Sequence, residues 1–237
     1  MDYFGFSKEL KLDKFLPKEF IYKQIGAKES VKKLFVENIE KIKIRSSIKE
    51  EGTNIKAYKN IEEKEVYEEI LFLKIEVKKK GKEEKIIDIF HNIFPRQTVI
   101  ELKFNNLIYL SCASKKIGSA SQVIEKIYNT GWFQEEKEID FIESLNYKNY
   151  DLKNLKTFYQ SIEERIRIYA EIKESKEKIN IKNIVGNKLF LEKLEAINEK
   201  INILKNQRKK ETQIKQVAEI QEKLLELILE RRNLVKQ

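Results

Sequence analysis

Beyond Asp151 the chain has no proline and a single glycine, Gly186. A segment this poor in helix breakers is predicted to be helical. Within it Leu194, Ile197, Ile201 and Leu204 step three, four, three, and Val217, Ile220, Leu224 and Leu227 repeat the pattern. This is heptad spacing in two blocks, separated by the polar stretch 205–213. Two arrangements satisfy it: an antiparallel hairpin turning near 206–209, or one long helix of roughly 70 Å. Burying each large aliphatic side chain is worth about 1.5–3 kcal/mol, so the seams must pack on each other, on the rest of the chain, or on a partner. The expectation is a C-terminal arm over 146–237, hairpin or coiled coil, whose eight seam residues serve partner docking.

Residues 1–145 follow another pattern. Tyr3, Phe4 and Phe6 are available to pack an extended lead-in onto a core. Pro17 opens a short helix, and Val31, Leu34 and Phe35 mark a second one over 28–37. The period then changes. Ile42, Ile44 and Ile48 alternate with Lys41, Lys43 and Arg45, the pattern of a half-buried strand with a basic outer face. A long β segment is predicted over 64–80 and a helix over 83–94, closed by Pro95. Asn105-Asn106 suits the turn of a hairpin between strands 98–104 and 107–114. Another helix is predicted near 121–128. The fold class expected is α+β: a mixed or antiparallel sheet with flanking helices, then the helical arm.

Composition bounds the chemistry. Charged residues reach 37%, and the net charge is +9. That balance favours polyanionic partners, DNA or another nucleic acid first. Lysine is spread along the whole chain, so general lysine loading competes with that reading. A single cysteine, Cys112, in the apolar run 107–113, excludes an internal disulfide and any multi-cysteine metal site. One histidine, His91, excludes an imidazole cluster, and no two glycines are spaced as a phosphate loop requires. No resident metal or cofactor is expected. No apolar run is long enough to span a bilayer and the N-terminus has no apolar leader, so the expected location is cytoplasmic, with no membrane partner.

Two sets of residues could carry function. Lys41, Lys43 and Arg45 on the first strand could track a phosphate backbone, while Lys115 and Lys116 lie near Tyr128 and Trp132, aromatics able to stack on bases. The alternative is catalytic: Glu101 and Lys103 share one strand face, and with an upstream carboxylate such as Asp88 they could hold Mg²⁺ and position a water for DNA cleavage. Glu76 and Lys78 have the same spacing. Such pairs arise by chance on a charged strand.

The order Leu16-Pro17-Lys18-Glu19-Phe20, residues 34–42, Thr53-Asn54-Ile55 and residues 65–69 is similar to an uncharacterised bacterial family of domains of unknown function, the DUF4391 type. Ile86-Ile87-Asp88, Phe94-Pro95, residues 101–104, Tyr109, residues 113–115 and Tyr128-Asn129-Thr130-Gly131-Trp132 continue the resemblance. The family tends to carry tryptophan in the first strand, where this chain has Ile44-Arg45. The resemblance implies a context: gene clusters of restriction or phage defence, beside SNF2-type helicases and DNA methyltransferases. It supplies no catalytic residues. The expected function is therefore that of a non-catalytic accessory subunit that binds nucleic acid or a neighbouring helicase or methyltransferase, with self-association through the arm as a further role.

Overall fold

A computed structural model describes residues 3–24, 26, 28–117, 122–173 and 185–235. Two compact units divide the chain, Met1–Arg167 and Ile168–Gln237.

The first unit is built on a mixed seven-stranded sheet, of the α+β class expected. Its strands are β1 (Lys11–Phe15), β2 (Ile39–Lys49), β5 (Glu69–Val77), β6 (Gln97–Phe104), β7 (Leu107–Ile117) and β8 (Gln122–Asn129), adjacent in that order, with the short β9 (Phe133–Gln134) also on β7. Two further strands, β3 (Tyr58–Asn60) and β4 (Glu65–Tyr67), pair only with each other. Every pairing in the large sheet is antiparallel except β5–β6, where helix α3 (Glu83–Ile93) carries the chain back to run parallel. A parallel neighbour requires such a crossover.

The register defines two faces. Leu71, Leu73, Ile75 and Val77 of β5 lie on one, with Ile100 and Leu102 of β6 and Ile42 of β2. Against them pack Ile86, Ile87 and Phe90 of α3, Leu34 and Phe35 of α2 (Glu29–Asn38), and Ile21 of α1 (Lys18–Gln24). Phe90 lies between Phe35 and Phe94, ring centroids 5.7 and 6.3 Å away. On the opposite face, Phe72 of β5 meets Phe4 and Phe6 edge-on and Phe158 at a tilt; Phe158 belongs to α5 (Leu155–Lys173). The N-terminal aromatics thus pack onto the domain as their sequence suggests. Tyr159 follows, its hydroxyl bonded to the Ala113 N–H and to the carbonyls of Ala113 and Thr98. Helix α4 (Ile139–Ser144) leads into this layer.

Two expectations are corrected. Residues 122–129 form strand β8, where a helix was predicted; they pair antiparallel along β7 from Ser111↔Asn129 to Ile117↔Gln122. Their β-branched and aromatic side chains, Val123, Ile124, Ile127 and Tyr128, suit a pleated surface, and the long β7 offers the ladder that decides between the two states. Ser121 lies outside the described residues. The single long strand predicted over 64–80 is interrupted at Glu68: β4 turns to β3 and only β5 joins the large sheet.

In the second unit, α6 (Lys188–Lys210) and α7 (Ile214–Val235) form an antiparallel pair in which Asn198 of α6 accepts from Arg231 of α7 at 3.0 Å. The two heptad seams close on each other. Ile197, Ile201 and Leu224 are buried together, with Leu204, Ile220 and Leu227 packed around them. Leu194 is buried and Val217 half-buried. The reversal falls at 211–213, beyond the polar stretch's centre, and needs neither glycine nor proline. The Glu211 carboxylate accepts the N–H groups of both Thr212 and Gln213, at 2.9 Å each, satisfying donors that the turn would otherwise leave open. Among the described residues no helix is long and apolar enough to cross a membrane.

Candidate functional site

The sheet face opposite α3 changes character along the strands. At the Phe72 end it is sealed by aromatic rings; towards the other end it becomes charged. Cross-strand register places Lys43 (β2), Lys74 (β5) and Glu101 (β6) in one row, and Lys41, Glu76 and Lys103 in the next. Arg45 joins them because the β2–β5 register shifts between Ile44 and Ser46. A bulge of this kind re-aims a side chain, and here the Arg45 guanidinium donates to Glu101 Oε2 at 2.7 Å. Five cations thus share this face with two carboxylates.

Tyr3 forms the rim between the aromatic and the charged halves. Its hydroxyl donates to Glu101 Oε2 at 2.7 Å, and the Arg45 guanidinium lies 5.7 Å from its ring centre. Lys74 Nζ approaches Glu101 Oε1 at 3.5 Å. Burial, and after it the Glu101 carboxylate, push the Tyr3 phenol well above its usual range, so it remains a donor. The Glu101 side chain is only 3% exposed and Arg45 13%, so this is a desolvated network in which one carboxylate holds two cations. Lys41, Lys43 and Lys103 differ. They are partly exposed, and no carboxylate among the described residues lies within ion-pair distance of them.

The other residues singled out in the sequence go elsewhere. Lys115 is 2% exposed, and its ammonium donates to the carbonyls of His91, Phe94 and Arg96 at 2.9, 2.6 and 2.9 Å. Three donors meet three acceptors, and the C-terminal end of α3 gains the cap that Pro95 and the chain reversal deny it. Burial lowers this ammonium to about 7. Lys116 pairs with Glu125 at 3.0 Å. The Trp132 indole donates to Glu83 at 2.7 Å and packs edge-on to Phe104 and Tyr109 on the α3 face. Tyr128 has two cations over its ring, Lys126 at 5.1 Å and Arg167 at 4.9 Å. Lys78 donates to the Val36 carbonyl.

The structure does not bring the nuclease set together. Asp88 is exposed on α3, on the far side of the sheet from Glu101 and Lys103, and accepts from Asn92 at 3.3 Å. Among the described residues no three of His, Cys, Asp and Glu gather as a metal ion would require. Cys112 is buried in β7, and burial raises its thiol well above the ordinary value. His91, also buried, shares a hydrogen bond of 2.9 Å with Ser111, and burial followed by the Lys115 charge lowers its imidazole to about 3.

Sequence reasoning passed over Lys74 and took Tyr3 only as a packing ring. Lys74 carried a usable signal: with Glu76 it interrupts the apolar run 70–77 at alternate positions, and such charges in a central strand must share one face. Tyr3 carried none, because its partner lies 98 residues away.

The chain is thus an α+β protein with a mixed sheet, one sealed face and one half-open basic face. It belongs to the family described as a domain of unknown function (DUF4391), whose profile matches residues 4–228. No curated protein and no solved structure matches it.

Proposed function

We propose that this protein is a nucleic-acid-binding accessory subunit that uses the basic face of β2, β5 and β6 to hold a phosphate backbone. The observation that carries the reading is the pair of cross-strand rows, in which Lys41, Lys43 and Lys103 stand without carboxylate partners among the described residues, beside the Glu101 network. Unpaired cations at fixed positions on a rigid sheet suit phosphates, which position a protein without specifying sequence. The net charge of +9 adds long-range attraction. Glu101, held by Tyr3, Arg45 and Lys74, orders this surface and takes no chemical role. The context that fits this reading is a DNA-processing defence assembly in which a helicase or methyltransferase supplies the catalysis, reached in part through the helical pair; the family resemblance supports it.

Anisotropy titrations of duplex DNA at two salt concentrations test the surface. Affinity should fall steeply with salt. The triple variant K41E/K43E/K103E should both weaken binding and flatten the salt slope by about 0.9 for each phosphate it no longer neutralises. Absence of binding at low salt would remove the reading. Incubation with DNA and Mg²⁺ separates it from the nuclease alternative. We expect no cleavage; cleavage abolished by Glu101→Ala would transfer the assignment to an enzyme using Glu101 and Lys103.

A further inference from the structure

One residue beside the basic rows presents an apolar ring to solvent. Phe15 ends the edge strand β1 and is 55% exposed, in a strand whose five residues are all solvent-facing. Its Cα partner on β2 is Lys43. Directly opposed residues of an antiparallel pair project to the same side of the sheet, and the flanking Leu16 and Ile44 both pack into the α3 core. Phe15 therefore stands on the basic face. The row across the sheet reads Phe15, Lys43, Lys74, Glu101, with Lys41 one step of roughly 7 Å further along β2.

An exposed ring beside lysines that have no carboxylate partner among the described residues has a specific use. Duplex DNA presents phosphates to a flat basic surface but keeps its base faces stacked within the helix. A single strand offers both, and grooves that bind it combine backbone cations with aromatic side chains on which bases stack. Edge position matters as well: no strand lies outside β1 among the described residues, so the ring is open to a base arriving from the side. We infer that the basic face takes single-stranded nucleic acid in preference to duplex, with a base stacked on Phe15 and the adjoining phosphates on Lys43 and Lys41. This rests on the nucleic-acid-binding reading and sharpens it to a substrate class.

The test uses the full chain, a labelled oligothymidylate and a blunt duplex of equal length, at low salt. The wild type should bind the single strand more tightly. Phe15→Ala should weaken single-strand binding about five- to a hundredfold, the range of one base–aromatic stack, and leave duplex binding within about twofold. Phe15→Trp should restore single-strand affinity, and its indole emission should be quenched by the oligothymidylate. Because Phe15 is exposed, circular dichroism of both variants should match the wild type. A duplex preference in the wild type, or single-strand binding indifferent to Phe15→Ala, overturns the inference while leaving the basic-face reading in place. Failure to bind either probe at low salt overturns both.

Discussion

The two faces of the sheet solve the same burial problem in opposite ways. Under α3, Ile42 of β2, Leu73 and Ile75 of β5, and Ile100 and Leu102 of β6 present aliphatic side chains that pack with Ile86, Ile87, Phe90 and Phe35. On the other side the aromatic cover of Phe4, Phe6 and Phe158 gives way, past Tyr3, to lysines and arginine that no element fully covers. The α3 face takes its stability from packing. The basic face leaves Lys41, Lys43 and Lys103 near the surface, and charges placed there add little stability, since even exposed ion pairs are worth under about 1 kcal/mol. Such a surface suits the phosphate contact proposed for it.

The sharpest way to break this contrast is a large cavity on the sealed side. Phe90→Ala removes a fully buried ring between Phe35 and Phe94 and should cost about 4 kcal/mol in chemical denaturation. Nucleic-acid affinity per folded molecule should be unchanged.

The α3 face has one polar island, and acid should find it. His91, held neutral by burial beside Lys115 and bonded to Ser111, has its imidazole lowered to about 3. An unfolded histidine titrates near 6.5, so between these values the unfolded chain takes up a proton that the folded one refuses. The stabilisation is present above about pH 6.5 and is lost progressively as pH falls towards 3. Because His91 is the chain's only histidine, its NMR titration is free of overlap. An imidazole that titrates near 6.5 in the folded protein would contradict the burial argument.

A smaller effect is expected across the sheet. Glu101→Gln removes the charge that holds Arg45 and Lys74 and should cost about 2 kcal/mol. It also makes the basic face more positive, so DNA affinity should hold or rise. A loss of affinity there would mean that the carboxylate contributes to binding directly.

Much of this contrast was legible in the sequence. The alternation of Ile42 and Ile44 with Lys41 and Lys43 gave β2 and its basic side, and Asn105-Asn106 marked the β6–β7 turn, where Asn105 takes a φ of 51°. The two heptad seams foretold the α6–α7 packing, though the turn built by Glu211 could not be seen without knowing that its carboxylate reaches two backbone donors. What stayed hidden depends on distant partners. Strand β8 is a strand because β7 is there to pair with it. Lys115 reads as a surface cation beside Lys116, yet alternate register and the end of α3 bury it under three carbonyls. Phe15 reads as one more apolar residue near a helix start, and only its register with Lys43 puts it on the basic face.

In the proposed role, binding belongs to one face of the sheet and not to net charge at large. Lys43 lies on that face, whereas Lys85 is exposed on α3 behind the other one. Charge reversal at either alters net charge equally, so anisotropy titrations of Lys43→Glu and Lys85→Glu at one low salt concentration separate the two explanations. K43E should weaken binding about tenfold, roughly 1.4 kcal/mol, while K85E should stay close to wild type. Equal losses in the two variants would contradict the proposed role and leave the net charge alone as the cause.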